Sequence, residues 1–112
     1  MTGKGRDGLK GRVLDLADLI DYQTGTVASR MVVNNPAGSI TIFSFDQGEG
    51  VSEHTAPFDS VITILDGEAG VWIGGTTHAM TAGQTIVVPA NAPHAFSATT
   101  PFKMALVMIR GE

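Results

Sequence analysis

Fourteen glycines and five prolines in 112 residues cut this chain into short pieces, and that punctuation limits what it can fold into. Between the breaks lie runs rich in Val, Ile, Thr and Phe, which suit a pleated, half-buried surface better than a helix. The alternation predicts strands over 26–33, 39–45, 51–54, 60–65, 69–73, 77–80, 85–88, 94–98 and 102–109. Asn35-Pro36-Ala37-Gly38, Asp66-Gly67, Gly74-Gly75 and Ala82-Gly83 supply the expected turns, because Gly and Asn accept the backbone angles that hairpins need. One short helix is expected over 14–20, where Asp15 can cap and Leu16, Leu19 and Ile20 share a face. Many short strands joined by regular turns imply an all-β sandwich or closed barrel.

A hydrophobic content of 43% against 16% charged residues excludes a disordered chain. With no cysteine, disulfide frameworks and thiolate-bound metals are excluded, and the composition suits a reducing, cytoplasmic setting. There is no run of eighteen apolar residues, so no membrane-spanning helix is expected, and no signal-peptide pattern opens the chain. Lys4, Arg6, Lys10 and Arg12 crowd four of the seven bases into the first twelve residues, read as a flexible basic tail over 1–12. The domain at 13–112 then carries three bases and ten acids, which disfavours nucleic acid as a partner.

Two predicted strands are apolar on both faces: Val61, Thr63 and Leu65 alternate with Ser60, Ile62 and Ile64, and Met104, Leu106 and Met108 with Ala105, Val107 and Ile109. Such strands need a second cover, from the short helix, a second sheet or another copy of the chain. The last strand is the best candidate for a homodimer contact.

Two glycine-framed segments carry histidines, Gly48 to Gly67 around His54 and Gly83 to Ala98 around His94. Here the sequence resembles the cupin family, and in particular its small single-domain bacterial members. The family's first motif runs glycine, five residues, His-x-His, three or four residues, Glu, six residues, glycine; Gly48, His54 and Gly67 fall on it without insertion. Its second motif has matches in Gly83, Pro89 and His94, with Asn91 where the family has glycine, and both residue types tolerate left-handed backbone angles. The resemblance implies a jelly-roll barrel of the double-stranded β-helix type. It leaves function open, because this fold hosts many activities as well as non-enzymes.

In metal-binding cupins both histidines and the glutamate of the first motif join the histidine of the second around an ion. This chain has Ala56 and Ser60 at two of those positions, so the resemblance leaves His54 and His94 as the metal ligands. Two imidazoles hold a divalent ion only weakly, since catalytic sites usually keep three protein ligands. Asp59 neighbours the lost glutamate, but strand alternation turns it away from the face of Ser60, so a surface or turn-capping role is expected. His78 is expected to face solvent on a hairpin strand, and Glu53 to oppose His54.

The expected pocket has His54, Ser60 and His94 as its polar groups and Phe58, Ile62, Ile64 and Phe96 as apolar lining, with Met104 or Met108 behind. It suits a small, partly apolar molecule with one acceptor or anionic group, bound without a firmly held metal. The alternative is a divalent-metal enzyme of dioxygenase, isomerase or lyase type working through His54 and His94.

Overall fold

The computed structural model describes residues 8–110. Eight strands follow one another: β1 Val27–Asn35, β2 Gly38–Phe45, β3 Gly50–His54, β4 Asp59–Ile73, β5 Thr76–Thr81, β6 Thr85–Val88, β7 His94–Ser97 and β8 Phe102–Ile109. All pairings are antiparallel along the path β1-β2-β8-β4-β7-β3, with β5 and β6 also on β4. The first half of β4 pairs with β8 and β6, and its second half with β5 and β7, so one strand serves both halves of the curled sheet. The core lies between them. Phe45, Ile62, Ile64, Phe102 and Met104 from one half meet Val71, Met80 and Phe96 from the other in one buried cluster. Phe45 and Phe102 stack at 4.4 Å, and burying each such side chain stabilises by about 1.5–3 kcal/mol.

β4 corrects the expected pattern. The strands read at 60–65 and 69–73 are one continuous element of 15 residues; Asp66-Gly67 is paired strand rather than a turn, and a bulge at Leu65 precedes it. Pairing to β8 continues through the irregularity, from Ile64 opposite Met104 to Asp66 opposite Lys103 and Gly67 opposite Phe102. A bulge adds a residue to one strand without ending the ladder. Gly67 adopts φ +78°, and a Cβ there would lie 2.0 Å from the Pro101 carbonyl oxygen, so only glycine fits.

The helix expected over 14–20 is also corrected, to a single 3-10 turn at Leu16–Leu19. Asp15 makes no side-chain cap, and Ile20 leaves in an extended conformation with φ −146°. Four residues cannot offset the cost of helix nucleation, so packing decides the shape of this segment. The turn acts as a strap over the outer face of β2, β8 and β4. Ile20, Ile42 and Ala105 form a second buried cluster, with Leu16, Leu19 and Leu65 packed against it. Side chains from the sheet bind its backbone: Lys103 Nζ donates to the Ala17 carbonyl at 2.6 Å, Arg30 to Leu19 at 3.0 Å and Ser44 to Asp21 at 3.0 Å. The Tyr22 hydroxyl donates to the Asp66 carboxylate beside the bulge, and the Lys103 ammonium lies 4.9 Å from the Tyr22 ring centroid. Burial, and then the Asp66 carboxylate, push the Tyr22 phenol above its ordinary value.

The strap leaves the adjacent outer row uncovered among the described residues. Register aligns Val33, Ile40, Val107, Val61 and Val87 side by side across β1, β2, β8, β4 and β6. Val87 is 55% exposed, and Ile109 beyond Val107 is 54% exposed. A shallow recess of about 260 Å³ is lined by Val33, Ile40, Val107 and Ile109 at the same place. Of the basic tail expected over 1–12, residues 1–7 lie outside the described residues; 8–12 form turns, with Arg12 donating to the Gly8 carbonyl at 2.8 Å. No helix of the described chain is long and apolar enough to cross a membrane.

Candidate functional site

The site is built from the end of β3 and the start of β7. His54 and His94 stand directly opposite each other in register, and His94 is in turn opposite Ile73 of β4. Alternation along β7 buries His94 and Phe96 on the inner face and leaves Ser97 exposed. The turn ahead of β7 fixes where His94 begins. Asn91 takes φ +69°, as expected of the residue in the glycine position, and its amide donates to the Ala56 carbonyl at 2.7 Å. The Asp59 carboxylate accepts from the Ala90 amide at 2.9 Å, the turn-capping role expected of it.

The imidazole centroids of His54 and His94 are 4.1 Å apart, with the rings tilted by 54°. Phe96 meets the His94 ring edge-on at 5.9 Å and lies 6.3 Å from His54. Each histidine uses Nδ1 in the same way: His54 donates to the Ser52 carbonyl at 2.9 Å and His94 to the Ala92 carbonyl at 2.9 Å. A carbonyl oxygen only accepts, so Nδ1 carries the proton and Nε2 is free to bind. His94 is 5% exposed, whereas His54 is open to solvent, so the pair reaches from the inner face to the surface.

The other expected site residues divide between the core and the opposite half of the sheet. Ile62 and Ile64 are fully buried in the cluster that contains Phe96 and Met104, and Phe96 connects that cluster to the pair. Phe58 is half-buried just before β4. Ser60 is buried on the inner face of β4, in register with Val88 on one side and Met108 on the other. Met108 is opposite Ser39, a second buried serine that the sequence reading missed. Its signal was parity, since Ser39 shares a face with the Phe43 and Phe45 positions of β2. His78, expected to face solvent, is half-buried opposite Val71, because it shares the face of buried Met80 on β5. Glu53 is exposed.

This donor set does not fit a firmly bound metal. Ala56 has no ligating atom, the Asp59 oxygen is engaged by Ala90 on the exposed side of β4, and Ser60 is a neutral hydroxyl. Among the described residues no three of His, Cys, Asp and Glu come together. The two free Nε2 atoms are all that remains of a metal-binding set.

The sequence matches the cupin domain family over residues 41–110. The chain belongs to the cupin family. Among solved structures, this cupin is similar to a conserved protein of unknown function from Streptococcus pyogenes, at 38% identity with a TM-score of 0.86 over 91% of this chain and 90% of that one. It is also similar to a cupin superfamily protein from Desulfitobacterium hafniense, at 31% identity and a TM-score of 0.84, over 89% and 92% of the two chains. The DMSP lyase DddQ from Ruegeria pomeroyi shares the fold at 19% identity, with a TM-score of 0.69 over 74% of this chain and 46% of that one. No curated protein matches the sequence. Enzymes and proteins of unknown function thus share this cupin's architecture, and fold alone does not choose between them.

Proposed function

We propose that this cupin binds a small, partly apolar molecule at the His54–His94 pair, without a firmly held metal. The observation that carries this reading is the geometry of the pair. Two rings 4.1 Å apart, each with Nδ1 held by a backbone carbonyl, leave two Nε2 acceptors next to Phe96, itself part of a buried apolar cluster. A few oriented polar groups against an apolar wall are the usual make-up of a small-molecule site. Ser60 and Ser39 add buried hydroxyls on the opposite inner face.

The competing reading, a divalent-metal enzyme of dioxygenase, isomerase or lyase type, draws on the same two Nε2 atoms. Metal content and melting separate the two. A ligand that binds only the folded state raises the melting temperature by mass action. Near-stoichiometric Ni, Zn, Mn or Fe should leave melting of the chelator-treated protein unchanged. One tightly held ion per chain after purification, lost in His54→Ala, would refute the metal-free reading.

We also propose that the protein pairs with a second copy through the outer row of Val33, Ile40, Val107, Val61 and Val87. Support comes from the row's continuity across five strands and from Val87 and Ile109 being more than half exposed.

A further inference from the structure

From the sequence, a ligand with one acceptor or anionic group is expected; the hydrogen bonds of the two imidazoles favour a donor instead. Each Nδ1–H is consumed by a backbone carbonyl two residues earlier in the chain, at 2.9 Å in both rings. The neutral imidazole has one donor and one acceptor, so both Nε2 atoms turned toward a ligand are lone pairs. With the ring centroids 4.1 Å apart, two acceptor nitrogens on neighbouring rings disfavour a carboxylate and match a group that donates.

The charge pattern points the same way. From residue 31 to residue 102 the sequence has no Lys or Arg, yet it contains six acids: Asp46, Glu49, Glu53, Asp59, Asp66 and Glu68. Both histidines lie within that stretch. The nearest bases in sequence, Arg30 and Lys103, are bound to the Leu19 and Ala17 carbonyls of the strap, and Arg110 to Asn34 and Asn35. With Glu53 directly before His54 and no base in that stretch, the charge pattern around the pair favours a cation over an anion.

We infer that the polar group recognised by His54 and His94 is a primary ammonium carried on an apolar body. An alcohol offers one hydrogen, enough for one Nε2. A primary ammonium offers three, so it can donate to both rings and keep one N–H for water. Its apolar body would lie against Phe96, whose ring is edge-on to His94. This assignment rests on the proposed binding at the pair and specifies its ligand class.

The test uses the chelator-treated protein at a pH where both rings are neutral, with benzylamine, benzyl alcohol and benzoate as probes. Nitrogen-15 NMR of labelled histidine should show Nε2 as the bare nitrogen in both rings before any probe is added, and a shift of both with benzylamine. Benzylamine should bind at least tenfold more tightly than benzyl alcohol, and benzoate should not bind. His54→Phe keeps a ring on Phe96 and His94 but removes one lone pair; it should weaken benzylamine about tenfold or more, the effect of a charge-assisted hydrogen bond, with little change in melting. Protonated Nε2 in the free protein, tighter binding of benzoate, or equal binding of alcohol and amine would each overturn the ammonium assignment while leaving a binding site in place. No response of either histidine to any of the three probes would overturn the binding reading itself.

Discussion

Substituting Gly67 by alanine isolates the physical demand of the close approach between β4 and Pro101, just past the bulge. Gly67 and Gly48 have similar backbones, at φ +78° and +87°, but different surroundings. A Cβ at Gly48 meets nothing within 4 Å, whereas at Gly67 it would sit 2.0 Å from the Pro101 oxygen and 3.0 Å from the Phe102 Cα. The left-handed conformation costs an alanine about 1–2 kcal/mol at either position. Only Gly67→Ala adds a backbone collision, which no rotamer relieves and which resembles overpacking at about 1–3 kcal/mol. Alanine also restricts the unfolded chain in both variants, so that contribution cancels in the comparison. Gly67→Ala should therefore lose about 2–5 kcal/mol and Gly48→Ala about 1–2, against a total stability of about 5–15 kcal/mol for a domain. At about 3–6 °C per kcal/mol for a chain of this size, the two melting temperatures should differ by roughly 3–18 °C. Thermal and urea unfolding followed by circular dichroism read the difference. Equal losses in the two variants would show that the approach to Pro101 exerts no constraint, and the account of why glycine stands at 67 would fail.

Further predictions address the strap, the turn and the outer face. Tyr22→Phe should melt slightly below the parent at neutral pH. Because the folded phenol titrates above its ordinary value, the stabilisation from the protonated group is present below about pH 10 and is lost as pH rises further, so the gap between the two proteins should narrow there. A gap constant with pH would refute the Tyr22–Asp66 contact. Asp59→Ala frees the Ala90 amide and should cost about 1 kcal/mol in urea unfolding, with metal affinity unchanged; weakened metal binding would instead make Asp59 a ligand. Val107→Glu places a charge in the middle of the outer row and should convert a dimer to a monomer in light scattering, while a wild-type monomer at micromolar concentration would dismiss the interface.

The strands were legible in the sequence because alternation and glycine turns are local signals, and inner-face positions such as Ile62, Ile64 and Phe96 followed from parity. Where partners distant in the chain decide the outcome, sequence reading failed. Asp66-Gly67 has turn chemistry, yet pairing with Lys103 and Phe102 keeps the strand running through it. Leu16, Leu19 and Ile20 have helical spacing, yet the sheet beneath them and the hydrogen bonds from Arg30 and Lys103 impose a strap. Spacing to the family motif singled out His54 and His94, and the structure sets them opposite each other in register. Which nitrogen each ring presents depends on the Ser52 and Ala92 carbonyls, and no residue pattern encodes that.

Chain order around β4 bears on how the protein is made. Its four partners, β5, β6, β7 and β8, all follow it in the sequence, and β8 is the strand that joins β2 to β4. During synthesis the second half of this fifteen-residue strand can pair with β5 at once, but its largely apolar first half waits for β8, and the β1–β2 hairpin stays unattached to it until Phe102–Ile109 emerge. Such late, long-range closure is slow and leaves strand edges open to other nascent copies. A released chain cut just before Phe102 should thus be prone to clumping, because the first half of β4 and the β1–β2 hairpin would both lack β8.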